Sequence, residues 1–252
     1  MTTDFDPDHG VAMLAPSFPV QFPYPQIVGR LKRLGFDYVV EVAFGALETN
    51  RQLLSLLEKN HEARYITSPC PAIVQRIQTQ YPHLVKFLAP TPSPMLATAK
   101  FVAEKFPGKK IVFIGPCLMK KIEAKNYPEL EITVLTYQEL IEIFSVKNQE
   151  DSSDDFLASF DQIGSQARLY AISGGLAQSA GLNSLLSDEE YDVVSGPILT
   201  KKALDEFPTN NLRVLDILNC EGGCLAGPGI VSNLSLEQRR LKIVAHWAKS
   251  AK

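Results

Sequence analysis

The sequence has little of what would place a chain outside the cell or in a membrane. No stretch approaches the roughly 20 apolar residues that span a bilayer. The first ten residues have no basic start and no apolar run. They carry Asp4, Asp6 and Asp8 instead, so no secretory leader is expected. Charge of either sign is not in large excess: 25 basic and 28 acidic residues leave a net charge of −3 and a pI near 5.9. That gives no reason to expect nucleic acid or an anionic membrane as partner. Cysteine is scarce, with four in 252 residues. The chain reads as cytoplasmic, where thiols stay reduced, so two disulfides are not expected. Low-complexity tracts and short repeats are absent. Hydrophobic residues make up 45% and charged residues 21%, which is ordinary globular composition. A chain of this length can bury a large core without staples, as one α/β domain or two closely joined lobes.

Short apolar runs alternate with segments of helical period. Strands are predicted at Val11–Ala15, Tyr38–Ala43, Arg64–Thr67, Lys110–Gly115, Ile132–Thr136, Arg168–Ser173, Tyr191–Ser195 and Leu212–Leu218. Helices are predicted at Gln26–Leu34, Leu47–Leu57, Ala72–Gln80, Pro94–Phe106, Leu118–Lys125, Gln138–Val146, Ile198–Phe207 and Leu236–Lys249. Gly35 closes the first helix. The acidic run Gln149–Asp155 is polar and reads as an exposed, flexible connection. The alternation predicts an α/β fold of mainly parallel sheets flanked by helices.

In such sheets, ligands collect at loops beyond the carboxyl ends of strands. Cys70 follows the third predicted strand, Cys117 the fourth, and Cys220 and Cys224 the last. The loop Ser173-Gly174-Gly175 follows another. A lone cysteine is usually a small buried hydrophobe. These four lie in loops, each with Gly or Pro beside it. Such loops bring backbone N–H groups close to an anionic group. Four thiolates match the ligand count of a 4Fe-4S cluster. They also match zinc, although only Cys220 and Cys224 have the close spacing of a zinc knuckle. His9, His61, His83 and His246 pair with no cysteine in sequence and read as surface residues. At this level iron–sulfur, zinc and purely structural roles all remain open.

Three cysteine segments together resemble the cluster-binding domain of the iron-only (FeFe) hydrogenases. They are Thr67-Ser68-Pro69-Cys70-Pro71, then Pro116-Cys117-Leu118-Met119-Lys120-Lys121-Ile122-Glu123, then Cys220-Glu221-Gly222-Gly223-Cys224-Leu225-Ala226-Gly227. Weaker echoes are Leu14-Ala15-Pro16-Ser17, Ser93-Pro94 and Ser173-Gly174-Gly175. The resemblance covers nearly the whole chain. It implies one domain, residues 1–252, made of two α/β lobes with the site between them and no ferredoxin-like domain. It implies the H-cluster, a 4Fe-4S cubane joined through a cysteine sulfur to a diiron unit with carbonyl, cyanide and dithiolate ligands. By match, Cys70, Cys117, Cys220 and Cys224 hold the cubane and Cys224 is the bridge. Lys120 would donate to one cyanide, with Glu123 orienting it, while Ser17 and the backbone at Pro16 would contact the other. Gly174 and Gly175 would line the cofactor.

The departures from that family also carry information. A cysteine that relays protons in active members is replaced by Pro69, which has no titratable group. An acidic relay segment reads Ala46-Leu47-Glu48-Thr49-Asn50-Arg51-Gln52, with Glu48 its one carboxylate. Methionines flanking the cluster are replaced: Gly115 precedes Pro116, and Leu218 stands two before Cys220. These changes resemble the divergent, sensory-type branch. The resemblance therefore implies a slow, reversible hydrogenase working with an external electron carrier such as ferredoxin, and maturation proteins that supply the diiron unit. The alternatives are a hydrogen or redox sensor with a signalling partner, or a protein that keeps the 4Fe-4S cluster alone.

Overall fold

A computed structural model describes residues 5–249. Asp4 of the acidic N-terminus lies outside the described residues. In chain order the strands are β1 (Val11–Leu14), β2 (Tyr38–Glu41), β3 (Tyr65–Ile66), β4 (Ile111–Gly115), β5 (Thr133–Thr136), β6 (Tyr191–Ser195) and β7 (Val214–Leu218). The helices are α1 (Gln26–Leu34), α2 (Ala43–Lys59), α3 (Pro71–Gln80), α4 (Pro94–Lys105), α5 (Met119–Lys125), α6 (Tyr137–Val146), α7 (Gly175–Ala180), α8 (Pro197–Glu206) and α9 (Leu236–Ala248). Two sheets form, one in the order β2-β1-β4-β5 and the other in the order β3-β7-β6. Every ladder in both is parallel. The fold is thus α/β with parallel sheets flanked by helices, as the alternation predicts.

The central strands β1, β4 and β7 are buried along their whole length. That is why β1 and β4 read as continuous apolar runs, and β7 as a run broken only by Asp216. Helix α1 shows how an amphipathic segment docks. Ile27, Val28 and Leu31 are within 1% of full burial, each contributing up to about 1.5–3 kcal/mol. Gly35 ends the helix at φ 118°, in the left-handed region, and its N–H caps Leu31 and Lys32 carbonyls. A Thr136–Glu139 capping box starts α6.

Three predictions need correction. Arg168–Ser173 is not a strand: Ser165–Ala171 is a 3-10 helix. Its residues from Ala167 to Ala171 are all buried, so neither a period of two nor one of 3.6 is imposed on them. Gly164 lets it begin, because a Cβ there would stand 2.1 Å from the Ala43 carbonyl carbon. The acidic run is held rather than loose. Arg30 pairs with Asp151 at 3.2 Å, Arg33 pairs with Asp155 at 2.7 Å, and Asp155 is 1% exposed. His246 is buried, while His9, His61 and His83 are exposed. The short helix α7 was not predicted.

A buried carboxylate marks β7. Asp216 is 2% exposed and accepts the Ala177 N–H at 3.1 Å. Burial pushes its carboxyl up to about 6 against that hydrogen bond. A raised folded-state value means that the folded chain holds this proton more tightly than the unfolded chain. Its ionisation therefore removes stability as pH rises from the ordinary carboxyl range through 6. Stability of the wild type relative to Asp216→Asn is expected to fall by about 3 kcal/mol across that window. Urea midpoints of both proteins over that range check this; parallel curves would contradict it.

Candidate metal centre

The site is assembled from loops at the carboxyl ends of strands in both sheets. After β3, Thr67 is buried and its hydroxyl accepts the Ile217 N–H at 3.2 Å. Ser68 donates to the Ala89 carbonyl at 2.8 Å. The chain then reaches Cys70 in extended conformation as the N-cap of α3, with Pro71 in the first turn. After β4, Gly115 leads to Pro116 and Cys117. A Cβ on Gly115 would stand 2.6 Å from the Phe113 ring, so the small residue fits the packed interior. After β7, Gly222 and Gly223 take φ of 72° and 100°. A Cβ on Gly223 would stand 2.7 Å from the Ala171 carbonyl oxygen, so the turn between Cys220 and Cys224 requires glycine there.

Cys70, Cys117 and Cys224 line one cavity, together with Lys120, Pro16, Ser17 and Pro69. Cys220 stands close enough to raise the Cys224 thiol, and is itself raised by Cys70 and Cys117. The remaining wall is apolar, with Val42, Met95, Phe113 and Leu218, and is completed by Tyr170 and Ala171. Gly174 and Gly175 do not line it. Gly175 packs against the Leu169 carbonyl, and Gly174 packs against Val193 at positive φ.

The thiols of Cys117, Cys220 and Cys224 resist ionisation in this setting. Burial pushes Cys117 up, with Cys70 adding to the effect, while Lys120 and the N–H groups of Met119 and Lys120 oppose it. Burial and the neighbouring cysteines push Cys220 up to about 11 and raise Cys224 further still. Four thiolates could share this space only with cations among them, which the irons of a cluster supply. Among the described residues, no three Cys, His, Asp or Glu side chains converge on a single-ion site.

Lys120 is 8% exposed. Its ammonium donates to Glu123 at 2.5 Å, Ser93 at 3.1 Å and the Pro69 carbonyl at 3.3 Å. All three of its protons thus have protein acceptors. Lys121 points elsewhere and pairs with Glu139. Ser17, 1% exposed, is 2.7 Å from the Tyr137 hydroxyl, which in turn donates to the Ala15 carbonyl at 3.2 Å. Glu48 is not part of the site; it pairs with Arg51 and Gln52 at the surface.

The family model for the iron-only hydrogenase large subunit, C-terminal domain, matches residues 8–228. The chain belongs to this family. Iron hydrogenase 1 of Clostridium pasteurianum is 24% identical over 81% of the chain. The NADP-reducing hydrogenase subunit HndD of Solidesulfovibrio fructosivorans is 25% identical over the same share. The chain spans 45% of the length of each of these relatives. Among solved structures, the FeFe-hydrogenase HydA1 from Chlamydomonas reinhardtii superposes with a TM-score of 0.70 at 18% identity. That match covers 94% of this chain and 84% of the algal one. Among the described residues, no helix is long and apolar enough to cross a membrane.

Sequence reasoning missed one part of this iron-only hydrogenase domain. Behind the cavity wall, Glu41 accepts from Arg168 Nε at 2.8 Å, the Gly164 N–H at 2.9 Å and His246 Nε2 at 3.2 Å. Burial works against its charge, yet hydrogen bonds from His246, Gly164 and Arg168 and the Arg168 charge hold its carboxyl below the usual range. The available signal was a charged residue set in each of two apolar runs, Glu41 after Tyr38-Val39-Val40 and Arg168 before Leu169-Tyr170-Ala171-Ile172. A charge in a buried run needs a partner.

Proposed function

We propose that this chain binds an H-cluster and interconverts dihydrogen with protons and electrons, slowly, in the cytoplasm. The observation that carries this is the meeting of three cysteines with Lys120 in one apolar cavity, the fourth cysteine close by. Cys70, Cys117, Cys220 and Cys224 would hold the cubane, with Cys224 bridging to the diiron unit. When bound, the cluster supplies dihydrogen cleavage and a path for electrons. The protein's own part is to exclude water and to fix charge. The apolar wall strengthens every polar contact inside it. Lys120 would turn from its longest partner, the Pro69 carbonyl, to donate to an anionic ligand, held meanwhile by Glu123 and Ser93. The Pro16 backbone and Ser17 would serve the opposite side. Residues 1–252 would act as one domain with the site between two lobes. Electrons would pass to an external carrier such as ferredoxin, and maturation proteins would supply the diiron unit.

One observation favours a second reading. Pro69 lines the cavity beside Cys70, where it can neither accept nor donate a proton. A site that binds dihydrogen or changes redox state with poor turnover suits a sensor that signals to a partner. Infrared spectra after anaerobic maturation test the proposal. Carbonyl and cyanide bands are expected; a cubane without them would support the 4Fe-4S-only alternative. Cys117→Ser is expected to lower iron content below that of the wild type in the same preparation, since a ligand is lost. Equal iron in the two would contradict its assignment as a ligand.

A further inference from the structure

Helix α9 begins at Leu236, beyond the family match that ends at residue 228. It is nevertheless built into the back of the cavity. Ile243 is fully buried in a cluster with Val20, Leu169, Ala171, Ile172 and Leu225. Those residues come from three segments that also carry the cavity wall. Val20 follows Ser17, Leu169 and Ala171 flank Tyr170, and Leu225 follows Cys224.

Two polar anchors reinforce this contact. His246 is 6% exposed. Its Nε2 reaches the Glu41 carboxylate at 3.2 Å, so the proton must sit on that nitrogen, because the carboxylate can only accept. Its ring stands edge-on to Phe18 at 4.9 Å and to Tyr24 at 5.2 Å. Glu41 is also held by Arg168, and the next residue in the chain, Val42, lines the cavity. Two hydrogen bonds thus join α9 to a network linking β2 to the 3-10 helix Ser165–Ala171: the His246 ring to Glu41, and Arg168 Nη1 to the His246 carbonyl at 3.5 Å. At the other end of α9, Arg239 donates to the Leu225 carbonyl at 2.8 Å and to the Ser232 carbonyl at 2.6 Å. It thereby fixes the turn that presents Cys224.

We propose that α9 is a clamp on the cluster cavity, in which His246 and Arg239 are positioning residues that hold the segments bearing Ser17, Tyr170 and Cys224. This rests on the cluster reading for its purpose, but the bracing itself does not. Neither residue touches the cavity, so their effect must pass through Glu41 and Leu225. The chemistry of the two anchors differs. A buried carboxylate that loses one donor is left short of a partner that water cannot replace, whereas Arg239 releases carbonyls at the part-buried end of the helix, where water can take its place. His246 is therefore the stronger anchor.

The test uses the full chain as wild type, His246→Leu, His246→Gln and Arg239→Met, with Lys242→Met on the exposed face of α9 as control. Amide hydrogen exchange is measured first on the cluster-free chain. His246→Leu is expected to exchange about tenfold faster at Leu169, Ala171 and Leu225, with β1 and β4 unchanged. Arg239→Met should act at Leu225 alone, and His246→Gln, which keeps a donor, should stay near wild type. After anaerobic reconstitution, the electron paramagnetic resonance of the reduced cubane should broaden or shift in His246→Leu and return in His246→Gln. Wild-type exchange at these amides together with an unchanged spectrum in His246→Leu would overturn the clamp. A wild type that takes up no iron would contradict the cluster reading, and the exchange data then decide the bracing on their own.

Discussion

Pro69→Cys is expected to raise hydrogen turnover about tenfold at matched cluster occupancy, short of the ~10²–10⁴ that a complete relay contributes. Proton transfer needs a chain of groups that both accept and donate within hydrogen-bond reach. Pro69 is buried in the cavity wall and has neither a titratable side chain nor a backbone N–H. Neither Ser17 nor Glu48 replaces it. Ser17 leads to Tyr137 and the Ala15 carbonyl, deeper into the core. Glu48 is engaged by Arg51 and Gln52 outside the cavity. A thiol at position 69 would bring an exchangeable proton into the cavity and leave the carbonyl that Lys120 contacts in place. The gain is partial because the outer carboxylates of a relay are still missing. Hydrogen evolution with a strong artificial reductant measures it. Wild-type turnover as fast as that of a typical hydrogenase would mean that another path exists, and would remove the main support for the sensor reading.

Lys120→Ala is expected to cost the diiron unit about 1.5–3 kcal/mol of binding, a loss of roughly 10- to 100-fold in retention, while sparing the cubane. Lys120 is the cation lining the cavity, and its stem and head are 10% exposed. Without it, an anionic ligand faces an apolar wall. Glu123, 11% exposed, would also lose its partner, and an unpaired buried carboxylate is costly in its own right. The double variant Lys120→Ala with Glu123→Gln separates these effects. Restored folding stability with diiron still lost would assign the loss to the missing donor. Lys121→Ala, whose ammonium pairs with Glu139 away from the cavity, is the control. Carbonyl and cyanide bands of equal intensity in Lys120→Ala and wild type would remove Lys120 from the site.

The parts of this protein that were legible in sequence are those where chain position alone constrains chemistry. Buried central strands are mostly apolar runs, broken in β7 only by Asp216, and β1, β4 and β7 are legible for that reason, within two residues at their ends. The cysteine loops were legible because a parallel sheet gathers its strand ends on one side, bringing Cys70, Cys117 and Cys224 to one cavity. Segments buried by several neighbours at once were not legible. Ala167–Ala171 is buried throughout like a central strand, yet it is wound into a 3-10 helix in which Gly164 lies against Ala43 and Arg168 reaches Glu41. The acidic run after α6 looked solvated because its partners, Arg30 and Arg33, lie more than a hundred residues earlier. His246 looked like a surface residue for the same reason: its partner Glu41 is 205 positions away. The glycines after Ser173 matched a motif, but here they serve backbone packing, and the neighbouring Tyr170 and Ala171 form the wall.

The most direct measurement is the metal content of the chain after anaerobic reconstitution with iron and sulfide. About four irons and four sulfides per chain are expected, because three thiols line one cavity with the Cys220 thiol close by, and four match the ligand count of a cubane. Stoichiometric zinc in anaerobically purified protein, with no uptake of iron, would contradict the account.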